Sequence, residues 1–132
     1  MAVVTLVLLA GCGREPDKPV EDLGGGNDVS RFALTSLHGT RDGDLLAVRA
    51  VFGDGMSEIR LDLRFRIGVP TRLESGTWRG FSGEGRVRER SVTFLGGQSG
   101  PPSVGGRFDL LGPDDSPRYR VTIPVQPLDH PL

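Results

Sequence analysis

Apolar and charged residues alternate along residues 58–67. Successive side chains of a β-strand point to opposite faces, so this period of two predicts a strand with one buried face and one wetted face. The apolar positions are Ile59, Leu61, Leu63, Phe65 and Ile67, and the charged positions between them are Arg60, Asp62, Arg64 and Arg66. Residues 118–123 repeat the alternation, so we predict a second strand of the same kind there.

Five further segments are typical of strands, because they are short, rich in branched and aromatic residues, and bounded by turn formers. They are residues 31–37, 45–52, 71–78, 86–95 and 106–111. The sequence Gly53-Asp54-Gly55 favours a tight turn that joins residues 45–52 to residues 58–67 as a hairpin. For residues 45–52 a short helix capped by Asp44 is the alternative.

Seven predicted strands at short spacing indicate an all-β fold, with turns expected at 38–43, 96–103 and 112–117. A body of about 100 residues with turns of varied length is typical of an antiparallel β-sandwich, which is the architecture we predict, with about seven strands. A small β-barrel is the alternative. Pro124, Pro127 and Pro131 predict that the last strand ends in an extended tail.

The N-terminal segment carries the most specific motif. Residues 2–10 form an apolar stretch that is shorter than the roughly 20 residues of a spanning helix but has the length of a signal-peptide core. It runs into Leu9-Ala10-Gly11-Cys12, which resembles the lipobox of bacterial lipoproteins. The resemblance implies that residues 1–11 are removed and that Cys12 carries a lipid through a thioether. The alternative is that this stretch forms a first buried strand with Cys12 as a core thiol.

Two neighbouring features refine this interpretation. No Lys or Arg precedes the apolar stretch, where signal peptides normally carry positive charge, so we expect the natural start to lie upstream of Met1. The residue after Cys12 is Gly13 instead of aspartate. The resemblance then implies an outer-membrane location, facing the periplasm or the cell surface, in a cell with two membranes.

The segment between the cysteine and the body is rich in charge, proline and glycine. It contains Pro16, Pro19 and the run Gly24-Gly25-Gly26, and such a composition predicts a mobile linker. The predicted organisation is therefore a signal peptide at 1–11, a lipidated cysteine and tether at 12–29, a β domain at 30–124 and a proline-rich tail at 125–132.

Composition excludes several classes of function. The net charge is −1 and the basic residues are interleaved with acids, so the chain shows no nucleic-acid footprint. The single cysteine excludes an internal disulfide and a zinc site built on several thiolates. We predict no metal and no cofactor, because the Asp42-Gly43-Asp44 group lacks the further spaced ligands of a calcium loop.

Catalytic motifs are also weak, and we predict that the protein is not an enzyme. His38 and His130 are the only histidines, and His130 lies in the predicted tail. The sequence Gly97-Gln98-Ser99-Gly100 lacks the spacing of a nucleophile elbow. A hydrolytic activity would require His38 to lie beside a serine and a carboxylate.

The arginines offer the best candidate binding surface. Arg60, Arg64 and Arg66 share one face of a predicted strand, and a second row of Arg86, Arg88 and Arg90 would add to it if no bulge intervenes. The alternative is a solvated face that is balanced by Asp62, Glu84 and Glu89. The loop at 96–106 adds Gln98 and Ser99, because long loops on rigid β scaffolds often bind ligands.

These observations favour a lipid-anchored, non-catalytic domain of the cell envelope that binds or assembles with another molecule. Its expected partners are the membrane, through the lipid on Cys12, and an envelope protein or glycan. The alternative is a carrier or sensor that holds a small ligand inside a barrel cavity.

Overall fold

The computed structural model describes residues 18–24, 26–96 and 102–128, and these residues form eight antiparallel strands and no helix. The strands are β1 (Val20–Asp22), β2 (Ala33–Asp42), β3 (Leu45–Gly53), β4 (Glu58–Arg66), β5 (Arg72–Gly80), β6 (Gly83–Leu95), β7 (Ser103–Leu111) and β8 (Pro117–Pro127). The all-β prediction is confirmed. Residues 45–52 lie in a strand, so the alternative of a short helix there is wrong.

The predicted two-sheet sandwich is not what the described residues form. The strands make one sheet in the order β1-β8-β7-β6-β5-β4-β3-β2, which curls strongly into a half-barrel. From β2 to β8 each strand pairs with the next one along the chain, and β1 lies beside β8. Bulges in the pairs β2–β3, β4–β5, β6–β7 and β7–β8 help to curl the sheet, because an extra residue bends a strand and increases its twist.

The alternation that predicted β4 is observed in full. Its apolar side chains from Ile59 to Phe65 are at most 1% exposed, whereas the charged side chains between them face solvent. The buried side chains lie on the concave side of the sheet, where those of all eight strands and their connections form one hydrophobic cluster. The period of two identifies a buried face in a sandwich and in a half-barrel alike, so it could not distinguish them.

Residues 20–24 and 26–29 differ from the expected tether, because they are part of the fold. Val20 pairs with Val121 on β8 and is 1% exposed, and Val29 is 4% exposed. Farther along the segment, the Asn27 side-chain amide donates to the Tyr119 hydroxyl at 2.8 Å. Isolated apolar residues in a polar segment give no periodic signal, and only the assembled sheet offers them a buried site. The predicted signal peptide and Cys12 lie outside the described residues.

The β domain also extends past its predicted C-terminal boundary at residue 124. β8 continues through Pro124 to Pro127, and the side chain of Leu128 is 4% exposed. The Leu128 N–H donates to the Pro102 carbonyl at 3.0 Å. Pro124 is tolerated next to a bulge in the β7–β8 pair, where a strand loses no regular ladder hydrogen bond. Of the predicted tail, only residues 129–132 lie outside the described part of the chain.

The half-barrel has two ends, which differ in how they are covered. At one end, which we call the linker end, residues 23–24 and 26–32 lie between β1 and β2, beside the turns that follow β3, β5 and β7. Aromatic contacts fill this end: Phe32 packs on Phe81, and Trp78 meets Tyr119 edge to face at 5.8 Å. The opposite end carries the turns that follow β2 and β4 and the end of β6.

Candidate functional site

A groove of about 900 Å³ crosses the outer face of β3, β4, β5 and β6. β5 and β6 pair only between residues 77–80 and 83–86, and the groove extends beyond the point where this pairing ends. Its floor includes small residues, among them Ala47, Ser75, Gly76 and Thr77. Its charged lining residues are four arginines and three acids, namely Arg49, Arg64, Arg86, Arg88, Asp62, Glu74 and Asp115.

Strand register explains why these side chains meet. Arg64 on β4 lies between Ala47 on β3 and Ser75 on β5. One row away, Asp62 lies between Arg49 and Thr77, and Thr77 is opposite Arg86. Directly opposed residues have Cβ atoms about 5 Å apart, so a long side chain beside two short ones leaves open space on both sides.

Three of the four arginines already have acidic partners. Arg49 contacts Asp62 at 2.9 Å, and Arg86 contacts Asp115 at 2.6 Å. The hydrogen bond and the charge of Asp115 raise the pKa of Arg86 above its usual value. These pairs hold the guanidinium groups at the rim of the groove.

Arg88 is held by a buried carboxylate, that of Asp109 on β7, which is 1% exposed. Asp109 accepts from Arg88 at 3.1 Å and from Arg120 at 2.8 Å. Burial raises the pKa of Asp109, but the hydrogen bonds from Arg120 and Arg88 outweigh it, so the pKa lies below its usual value. The carboxylate therefore stays ionised and fixes Arg88 beside the groove.

Arg64 is different, because no ion pair or hydrogen bond engages its side chain within the described parts of the chain. Its side chain is exposed, and its direct cross-strand neighbours are Ala47 and Ser75, which carry no charge. A guanidinium group has five N–H donors in a planar fork that matches a carboxylate or a phosphate. Arg64 is therefore the residue in the groove that is best placed to receive an anion.

The predicted arginine row divides in the structure. Arg60, Arg64 and Arg66 do share the outer face of β4, but only Arg64 lines the groove. Arg66 is held by Glu74 at 2.7 Å and Asp44 at 3.3 Å, and the hydrogen bond that it donates to Glu74 is the main cause of its raised pKa.

Arg60 lies 3.9 Å from Glu58 and lines a neighbouring depression of about 570 Å³. That depression shares Asp62, Thr77 and Arg86 with the groove. Gln98 and Ser99, the other predicted binding residues, lie outside the described residues.

The second predicted row contributes Arg86 and Arg88 to the groove, whereas at Arg90 a bulge between Glu89 and Ser91 shifts the register of β6 with β7. The acids expected to balance the two rows contact other arginines: Asp62 binds Arg49, Glu84 binds Arg79 and Glu89 binds Arg72. These partners come mainly from neighbouring strands or from across a turn, so the sequence pattern of one strand could not identify them.

Sequence reasoning missed Arg49 and Asp109 as parts of the site. Asp109 had a visible signal, since it is a lone carboxylate in the apolar run Phe108-Asp109-Leu110-Leu111. Arg49 gave a weaker one, as the single charge in residues 45–52.

His38 lies on β2 opposite Arg49 of β3. No group of three or more His, Cys, Asp or Glu side chains in residues 18–24, 26–96 and 102–128 is arranged to hold a metal ion. The same residues include no helix with the length and apolar character that a membrane crossing requires.

Comparisons with known proteins do not assign a family. A scan of the sequence against protein-family models gives no match. Searches of curated proteins and of solved structures give no significant match either.

Proposed function

We propose that the protein is a non-catalytic binding module of the cell envelope, anchored by a lipid on Cys12, and that its arginine groove binds an anionic group of an envelope protein or glycan. The observation that carries the binding role is that Arg64, between Ala47 and Ser75, has no acidic partner among the residues that the structure describes. The anchor rests on the lipobox resemblance of Leu9-Ala10-Gly11-Cys12.

The chemistry of the groove favours an anion. A carboxylate or phosphate above Ser75 would accept two parallel hydrogen bonds from Arg64 and further bonds from the hydroxyls of Ser75 and Thr77. Arg49, Arg86 and Arg88 surround this position, and their paired acids fix their geometry without reaching Arg64. Charge-assisted bonds of this kind are stronger than bonds between neutral groups.

A binding surface on the outer face is better supported than a carrier with an internal cavity. The inward side chains of the half-barrel pack on one another in one cluster, which includes Phe65, Phe108 and Tyr119. Phe65 and Phe108 are in ring contact at 5.9 Å. A carrier would instead need inward side chains that line open space.

Titration with small anions tests the groove. We would record side-chain NMR spectra of the soluble Cys12→Ser chain with added inorganic phosphate or galacturonate at constant ionic strength. The Arg64 Nε–H signal should shift on saturation. Arg64→Gln should weaken binding about tenfold or more, since a hydrogen bond to a charged group contributes about 1.5–3 kcal/mol. The matched control is Arg31→Gln, an exposed arginine at the linker end, which should leave the affinity unchanged. Equal weakening by the two variants would contradict a specific site.

The anchor is tested separately by labelling cells with a radioactive fatty acid. The unaltered chain should incorporate label and Cys12→Ser should not, because a hydroxyl is a much weaker nucleophile than a thiolate at neutral pH. Label in the serine variant would exclude Cys12 as the lipid site.

A further inference from the structure

We propose that the opposite end of the half-barrel, with the β4–β5 turn at its tip, lies against the bilayer surface. This orientation rests on the proposed lipid anchor at Cys12. Three observations carry it: the place where the chain enters the sheet, the number of residues between that place and Cys12, and the exposed apolar residues at this end.

The chain enters the sheet from the side of the opposite end. β1 runs antiparallel to β8, with Val20 opposite Val121 and Asp22 opposite Tyr119. Just before β1, the Pro19 carbonyl accepts from the Thr122 N–H at 2.9 Å. β8 runs from the linker end to the opposite end, so Lys18, the first described residue, lies on the side of Val20 that faces the opposite end.

Covalent geometry limits the reach of the anchor. Six residue steps separate Cys12 from Lys18, and a fully extended chain spans at most about 3.6 Å per step, so the reach is about 22 Å. From Thr122 to Pro127, at the opposite end, β8 advances five residues, or about 17 Å. The chain is therefore long enough to bring this end to the membrane surface.

The linker end is out of reach by the same calculation. A chain that leaves Lys18 must first reverse its direction, and a tight turn uses four residues. Four residues are joined by three steps, so three of the six steps remain, and they span about 11 Å, whereas Pro117 lies five residues, or about 17 Å, from Thr122. The linker end must then face away from the bilayer.

The opposite end presents apolar side chains that suit a membrane interface. Val69, in the turn after β4, is fully exposed, and Leu95, at the end of β6, is 61% exposed. Several charges near this end are paired, since Arg66 contacts both Glu74 and Asp44, and Arg72 contacts Glu89, whereas Arg41 and Asp42 at the end of β2 are exposed. The linker end also exposes apolar side chains, those of Met56 and Phe81 at 95% and 45%, so the reach of the anchor decides between the two ends. The arginine groove, on the flank of the half-barrel, then opens sideways along the membrane.

Single-cysteine labelling tests the orientation on the lipidated full chain. Cys12 is the one cysteine of the sequence, and a lipidated Cys12 has no free thiol, so an introduced cysteine is the site that reacts with a thiol-specific fluorophore. Val69→Cys and Met56→Cys form a matched pair, because both residues lie in exposed turns, 105% and 95% exposed, at opposite ends. Each labelled protein is reconstituted in vesicles of phosphatidylethanolamine and phosphatidylglycerol that contain lipids with a nitroxide on the acyl chain.

We expect the label at position 69 to shift to shorter emission wavelength and to be quenched, and the label at position 56 to do neither. Equal quenching at the two positions, or quenching at 56 alone, would overturn the orientation. Quenching of a Val125→Cys label without quenching at 69 would also overturn it, because β8 would then lie edge-on to the membrane. Mass spectrometry of the N-terminal peptide separates the two proposals. A peptide without lipid refutes the anchor and the orientation together, whereas a lipidated peptide with the wrong quenching pattern refutes the orientation alone.

Discussion

Replacement of Asp109 by asparagine tests whether the buried carboxylate organises the outer face of the sheet. Asp109 is 1% exposed and bridges Arg88 and Arg120, whose side chains are 48% and 28% exposed. Removal of one partner from a fully buried ion pair costs about 3–5 kcal/mol, but these arginines can regain water. We therefore expect the free energy of unfolding to fall by about 2–3 kcal/mol, near the cost of losing two charge-assisted hydrogen bonds to groups that rehydrate in part.

The control is Asp62→Asn, which removes another outer-face carboxylate from an arginine. Arg49 and Asp62 are each about half-exposed, so their pair contributes less than about 1 kcal/mol. The assay is urea unfolding of the soluble Cys12→Ser chain, followed by fluorescence of its single, buried tryptophan, Trp78. Equal losses in the two variants would refute the argument that burial makes Asp109 the stronger contributor.

Acid should reduce the difference in free energy of unfolding between the Asp109→Asn variant and the parent chain. The pKa of Asp109 is lowered in the folded state, so its contribution is fully present above the unfolded value of about 3.8. The contribution is lost as the pH falls below that value toward the lower folded-state pKa. Unfolding at pH 6 and in a series below pH 4 should therefore show the two stabilities converging. A constant difference across that series would contradict an ionised Asp109.

Two further substitutions test the packing of the half-barrel. Phe65→Asp should prevent folding, because an unpaired buried carboxylate costs several kcal/mol against a total stability of about 5–15 kcal/mol. Arg64→Ser, on the outer face, should change the free energy of unfolding by no more than about 0.5 kcal/mol. Circular dichroism of both variants checks this, and a folded Phe65→Asp protein would contradict the strand assignment. Gly85→Ala should lower the melting temperature, because a Cβ there would overlap the backbone carbonyl of Leu111 and cost about 1–3 kcal/mol. Gly68→Ala is the control, because a Cβ there would make only ordinary contacts, and its melting temperature should be close to that of the parent protein. Equal melting temperatures for the two alanine variants would show that β7 does not approach Gly85 closely.

The sequence by itself predicted strands β2 to β8 in outline, but not β1, and it predicted the two faces of β4 and β8. Alternation in β4 and β8 identified the side chains that enter the core, since a period of two has one structural explanation when charged and apolar residues alternate strictly. Glycine, aspartate and proline marked the turns after β3 and β7, because few residues adopt turn conformations without strain. The turn predicted at 38–43 is shorter than expected, since β2 continues through Asp42. The outward position of Arg60, Arg64 and Arg66 followed from the same pattern.

Only the tertiary structure decided how the strands assemble and which arginines form a site. Periodicity describes one strand at a time, so it could not show that the sheet curls into a half-barrel or that Val20 is buried against β8. The groove depends on register across four strands, which places Arg64 between two small residues and directs the acidic side chains to other arginines. Register is set by turns, bulges and the shared core together, and these act between segments that are distant in the sequence.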